Sequence, residues 1–250
     1  MNKIIVVLGV FVAAVIGAAI LYRHMPDRMT PENIRLAVNA EEKIVLASDE
    51  EGYEESEDMD VRPPVKQDPL PFSELAAPPT TPEGGLPDVF HVMFECSAGN
   101  FVVAFHKDWA PEGAKRVFEM IREGVLTEAR FFRMVSNFMV QFGLAGDPAV
   151  TQKWSRSIKD DPVLQSNKRG FVTFAMRGPN TRTTQMFINY GDNSRLDKDG
   201  FAPVGQVVAG MEAVDYINPQ YAEKPLQSAI MEQGNEYLKK FFPRMDYIKR

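Results

Sequence analysis

A mainly β domain, preceded by an apolar helix and an extended linker, is the fold class the sequence predicts. Three observations carry it. Short apolar runs at 138–142, 171–175, 186–189 and 204–208 are separated by clusters of Gly, Pro, Asn and Asp. An alternating pair of runs, 91–96 and 101–106, flanks turn residues around Gly99, the pattern of a β-hairpin. Only two segments in this region repeat with a helical period. Many short strands with two helices argue for a barrel or sandwich and against alternating βαβ units.

Residues 4–22 read IIVVLGVFVAAVIGAAILY, without a charge, and are followed by Arg23, His24 and Arg28. A helix of that length rises about 28 Å, close to the hydrocarbon thickness of a bilayer, about 30 Å. Residues 1–28 are therefore expected to form a transmembrane signal anchor. A cleaved signal peptide is the alternative, with Gly17-Ala18-Ala19 as a weak cleavage candidate inside the apolar run. Lys3 on one side and Arg23 and Arg28 on the other leave the orientation open by charge alone.

Residues 29–86 sustain no core-forming period. Residues 41–60 hold ten acids and one lysine, and Pro63, Pro64, Pro69, Pro71, Pro78, Pro79 and Pro82 follow. Such a composition buries too little apolar surface to offset the entropy of ordering, which predicts a flexible linker. The whole-chain charge of −6 is concentrated in that acidic run, so the rest of the chain is close to neutral. A nucleic-acid footprint of clustered Lys and Arg is absent.

The folded domain is expected over 87–223, with an extension at 224–250 packing on it. Asp108-Trp109-Ala110-Pro111 is a helix entry. Ala114, Val117, Phe118 and Ile121 then make one apolar stripe that ends at Gly124. A second helix is expected from Met211 to Ile217. In the extension, Ile230, Leu238 and Phe241 are candidates for a covering helix and 245–248 for a final strand. Cys96 is the lone cysteine, which excludes an intrachain disulfide and reads as a small buried hydrophobe. His24, His91 and His106 have no metal-ligand spacing, and no metal or cofactor is expected.

Two segments carry chemistry. The first is Phe131-Phe132-Arg133 followed by Phe138-Met139-Val140-Gln141-Phe142-Gly143. The second is Phe174-Ala175-Met176-Arg177-Gly178-Pro179-Asn180-Thr181 followed by Gln185-Met186-Phe187-Ile188. They resemble the F-x-R-x-x-x-x-F-M-x-Q-x-G and A-x-x-G-P-N-T-x-x-x-Q-x-F-I signatures of the cyclophilins. Leu196-Asp197 followed by Gly205 resembles a third block of that family. The resemblance covers about 130 residues, with the motifs in the family's order, and looks most like bacterial members.

The resemblance implies an eight-stranded antiparallel β-barrel capped by two helices, and peptidyl-prolyl cis/trans isomerase activity on proline-containing polypeptides. It implies that Arg133 is the catalytic arginine and that Gln141 orients it. It places Phe138, Met139, Phe187 and Leu196 in the pocket for the proline ring. Ala175, Met176 and Gln185 are implied along the peptide groove. Two positions depart from the common pattern: Arg195 stands where many members have tryptophan, and Phe201 where many have histidine. The first implies weak cyclosporin binding or none. Gly178-Pro179-Asn180-Thr181 is read as a turn framing the groove, and 148–169 as a replacement for the family's glycine-rich loop. The combined expectation is an isomerase tethered to a membrane, its domain in the periplasm or otherwise outside the cytoplasm. The alternative is a tethered, non-catalytic module that binds proline peptides as a chaperone. A scaffold whose acidic linker recruits a partner is a weaker third.

Overall fold

The two alternating runs form a hairpin, β1 (Val89–Cys96) antiparallel to β2 (Gly99–His106), with Cys96 opposite Gly99. The structure, a computed structural model, describes residues 85–250. The anchor expected at 1–28 and the linker up to residue 84 lie outside the described residues. Among the described residues no helix is long and apolar enough to cross a membrane.

Five further strands complete one antiparallel sheet: β3 (Arg133–Val135), β4 (Met139–Phe142), β5 (Phe171–Phe174), β6 (Met186–Asn189) and β7 (Pro203–Ala209). Their order is β1-β2-β7-β5-β6-β4-β3. The expectation of eight strands in a closed barrel is corrected here. Seven strands form ladders, and the end strands β1 and β3 do not pair. The chain end stands instead between β1 and the segment that leads into β3. On one side Glu95 N–H donates to Arg250 O (3.0 Å) and Ser97 N–H to Tyr247 O (3.0 Å). On the other, Phe131 N–H donates to Asp246 O (3.0 Å) and Ile248 N–H to Ala129 O (2.9 Å). These contacts give isolated bridges, Cys96 with Ile248 and Arg130 with Tyr247. One reason no ladder develops is that Glu128 is left-handed (φ 62°), which interrupts extended backbone beside the bridge.

Helix α1 (Pro111–Arg122) lays its predicted stripe on the sheet. Ala114 and Val117 are fully buried and Phe118 nearly so, beside Met120. The inner sheet face supplies Phe90, Phe94, Phe101, Phe105, Val140, Phe142, Phe174 and Ile188. Phe94 stacks on Phe101 at 5.0 Å and Phe90 on Phe105 at 5.3 Å. Each fully buried aromatic or branched side chain contributes about 1.5–3 kcal/mol. Cys96 lies in this core, where burial pushes its thiol pKa up.

Helices number five among the described residues, against two expected in the domain and one covering element in the extension. Besides α1 they are α2 (Pro148–Lys153), α3 (Met211–Asp215), α4 (Gln227–Gln233) and α5 (Asn235–Phe241). The covering element in the extension is broken into α4 and α5 at Gly234, where a Cβ would lie 2.3 Å from Gly146 O. Ile230 and Leu238 are buried as expected, but Phe242 rather than Phe241 completes the cluster, with Phe132, Leu144 and Met245.

Candidate active site

The β3–β4 hairpin is the base of the site. Asn137, left-handed at φ 58°, closes its turn, and Phe138 N–H donates to Val135 O at 3.0 Å. Asn tolerates this conformation better than most residues. Register then sets the chemistry. Arg133 pairs with Gln141 across β3–β4, and Gln141 with Phe187 across β4–β6. Strand alternation puts these side chains on the face opposite Val140, Phe142 and Ile188, which enter the core. Gly143 ends the motif at φ 104°, where a Cβ would meet Thr184 O at 2.3 Å. Only glycine lets the two backbones approach so closely.

On this outer face lies a cavity of about 430 Å³. Arg133 and Gln141 line it, together with Phe138, Met139, Phe187, Leu196 and Phe201. Ala175, Met176 and Gln185 line it along one side, where Ala175 N–H donates to Gln185 O at 2.9 Å. Thus every predicted site residue except Arg195 meets in one place. Arg195 is exposed and does not line the cavity. Its guanidinium lies 4.7 Å from the centroid of the Phe138 ring, a cation–π contact at the rim.

A polar chain runs across the cavity mouth. Arg133 Nη1 donates to Gln141 Oε1 at 3.2 Å, and Gln141 Nε2 donates to Gln185 Oε1 at 2.8 Å. Gln141 is 5% exposed, whereas the Arg133 side chain is 34% exposed. Glu223 meets the other edge of the guanidinium, its Oε1 accepting from Nε at 2.7 Å and lying 2.5 Å from Nη2.

Behind the apolar wall is a network of buried amides. Asn193 Nδ2 donates to Phe138 O and to Asn189 Oδ1, both at 2.7 Å. Asn167 Nδ2 donates to Phe201 O (2.7 Å) and to Asp197 Oδ1 (2.8 Å), and its Oδ1 accepts from Thr173 Oγ1 (2.7 Å). Leu196 lies on the 3₁₀ turn Ser194–Asp199 that this network holds. Burial alone would raise the Asp197 pKa. The bonds it accepts from Ser166 and from the Asn167 side chain and backbone outweigh that and hold it below the usual carboxylate value. Phe201 meets Phe187 edge-on at 6.0 Å.

The Gly178-Pro179-Asn180-Thr181 segment is a turn at the groove edge. Thr181 Oγ1 donates to Gly178 O (2.8 Å) and accepts from Arg177 N–H (2.9 Å). Arg177, Thr181 and Thr183 join the lining there. The sequence reading missed Glu223 and also Gln227 and Met231 of α4, which line the cavity from the C-terminal extension. Nothing in local spacing marks them: the fold alone brings Glu223 to Arg133 and Gln227 and Met231 to the cavity.

A family model described as "Cyclophilin type peptidyl-prolyl cis-trans isomerase/CLD" matches residues 91–234. Peptidyl-prolyl cis-trans isomerase A of Dickeya dadantii is 32% identical over 140 residues, covering 53% of this chain and 73% of that protein. Peptidyl-prolyl cis-trans isomerase B of Escherichia coli is 32% identical over 136 residues, covering 50% and 82%. Against the longer Arabidopsis thaliana isomerase CYP65, identity is 29% over 147 residues, and the chain spans 24% of that relative. A Cryptosporidium parvum cyclophilin crystal structure aligns with a TM-score of 0.44 at 24% identity, over 51% of this chain and 82% of that one. With its signature residues gathered around one groove and the family model matched over more than half its length, the chain belongs to the cyclophilin-type peptidyl-prolyl cis-trans isomerases.

Proposed function

We propose that this chain accelerates cis/trans isomerisation of X–Pro bonds in polypeptides, with Arg133 as the catalytic donor. One observation carries the reading: a guanidinium held by Gln141 stands at the mouth of a cavity walled by Phe138, Met139, Phe187, Leu196 and Phe201. The proline ring fills the apolar part, and Ala175, Met176 and Gln185 receive the peptide backbone along the groove. The barrier is about 20 kcal/mol because amide resonance must be broken. In the twisted transition state the proline nitrogen regains a lone pair that can accept a hydrogen bond. Arginine, always charged and rich in donors, supplies one there. A bond made only in the transition state raises kcat, and a charge-assisted one contributes about 1.5–3 kcal/mol, roughly 10- to 150-fold. The apolar wall adds to this by removing water from the more charge-separated planar amide.

Arg133→Ala in the full chain is expected to lower kcat/KM at least about tenfold with an unchanged thermal midpoint, since the lost group faces the groove and not the core. Near-native turnover in that variant would remove Arg133 from the mechanism.

The setting of the domain belongs to the same proposal. Residues 4–22 anchor the chain in a membrane, residues 29–86 tether it, and the isomerase domain works outside the cytoplasm. A charge-free run of spanning length followed by an acidic, proline-rich stretch supports this. The protein is expected to resist alkaline carbonate extraction and to yield to detergent. A mature N-terminus near Ile20 would identify a cleaved signal instead. Degradation of the domain by protease only after the inner membrane is opened would place it in the cytoplasm.

A further inference from the structure

We infer that Glu223 is a positioning residue for Arg133, supplied by the C-terminal side of the domain. The inference rests on the reading of Arg133 as catalytic. A guanidinium has five N–H donors. Glu223 engages Nε and Nη2 and Gln141 engages Nη1. That leaves one N–H on each terminal nitrogen to meet a substrate. Gln141 alone fixes the arginine at one atom. With Glu223 on the opposite edge, the plane of the guanidinium is fixed as well.

The segment that carries Glu223 is built onto Arg133's own strand. Met134 N–H, next to Arg133 in β3, donates to Ala222 O at 2.9 Å. Turn bonds on either side, Ala222 N–H to Pro219 O (3.0 Å) and Lys224 N–H to Tyr221 O (2.9 Å), hold the segment in shape. The Tyr221 ring packs edge-on against Phe242 at 5.1 Å, and its hydroxyl accepts from Arg244 N–H at 3.3 Å. Ala222 is left-handed at φ 46°, a conformation that costs an L-residue about 1 kcal/mol or more. Surrounding contacts therefore hold a strained residue immediately before the carboxylate that meets the arginine. The pair itself is half-exposed, with Glu223 at 55% and Arg133 at 34%. Such pairs contribute only about 0–1 kcal/mol to stability, so the fold does not depend on this one. Its consequence is the aim of the guanidinium.

Glu223→Ala and Glu223→Gln in the full chain test this, with kcat and KM measured separately by exchange NMR on an Ala-Pro peptide. Glu223→Ala is expected to lower kcat about two- to fivefold, the range open to a half-exposed ion pair. KM and the thermal midpoint should move little. Glu223→Gln keeps an acceptor oxygen and should retain more of kcat than Glu223→Ala. Added to Arg133→Ala, Glu223→Ala should lower kcat no further. Unchanged or raised kcat in Glu223→Ala, while Arg133→Ala is impaired, overturns the inference and leaves the role of Arg133 standing. An equal loss in both backgrounds also overturns it, because Glu223 then acts on the fold. Full turnover by Arg133→Ala shows instead that the underlying reading has failed.

Discussion

Two arginines stand among aromatic side chains at this site, and their surroundings give them different work. Arg133 is gripped on both edges, by Gln141 and by Glu223, and lines the cavity. Arg195 is exposed, with its guanidinium 4.7 Å from the Phe138 ring centroid, and does not line the cavity. A tryptophan at that position would offer a flat ring and an indole N–H to a bulky cyclic ligand. A guanidinium engaged with Phe138 offers neither the apolar area nor the same donor geometry. Cyclosporin is therefore expected to inhibit weakly, and Arg195→Trp to strengthen inhibition, as read from titrations of isomerase activity. Tight inhibition of the unsubstituted chain would contradict this. Arg133 was legible in the sequence only through the resemblance of its motif, and the register of the short hairpin pairs it with Gln141, eight residues on. Glu223 was not, because 90 residues separate it from its partner and an acid in a polar segment carries no spacing signal.

Among the elements, α1 illustrates how a remote side chain completes local structure. Its entry was legible from Pro111, yet no neighbouring side chain caps it. The Asp161 carboxylate accepts from Glu112 N–H at 3.0 Å and Gly113 N–H at 2.9 Å, satisfying two of the orphan donors of the first turn. Asp161 is in turn paired with Arg182 at 3.0 Å, both side chains 2% exposed, and Arg182 also meets Asp160 at 3.2 Å. Residues 148–169 looked like a simple loop replacement. They in fact contribute α2 and this buried charge network, for which charge patterns in sequence give no period. Removing one partner from a buried pair costs about 3–5 kcal/mol. Asp161→Ala is expected to lower the thermal midpoint by on the order of 10 °C, measured by circular dichroism. A shift within about 2 °C would show that the pair is dispensable.

The 3₁₀ turn bearing Leu196 depends on Asp197 in a different way. Its carboxyl is held below its ordinary value in the folded state. Its stabilising contribution is therefore present above the unfolded pKa of about 3.9 and is lost as pH falls through the folded one. The thermal midpoint of the native chain should exceed that of Asp197→Asn by a constant margin above about pH 5, and the margin should shrink below about pH 4. A margin that stays constant into stronger acid would assign Asp197 no such role.

At the scale of the whole molecule, one sheet serves two purposes through strand alternation. Its inner face buries the phenylalanine-rich core, and the outer face of β3, β4 and β6 presents Arg133, Gln141 and Phe187. The strand content was legible because alternation is a local property, and the cavity lining because the motifs resemble those of the family. Closure was not, because it depends on where the chain end docks. There, residues 246–250 bridge β1 at Cys96 and, at Arg130, the segment just before β3, and no eighth ladder forms. The extension also supplies Gln227 and Met231 to the cavity, so domain and extension form one working surface. The central claim is that this surface lowers the barrier to X–Pro rotation and does more than bind proline. Magnetisation-exchange NMR of an Ala-Pro peptide with the full chain measures this directly. The account predicts cis–trans exchange far above the spontaneous rate with the native chain, falling at least about tenfold with Arg133→Ala. Peptide resonances that shift on binding while exchange stays at its spontaneous rate would contradict it and identify a non-catalytic proline-binding module.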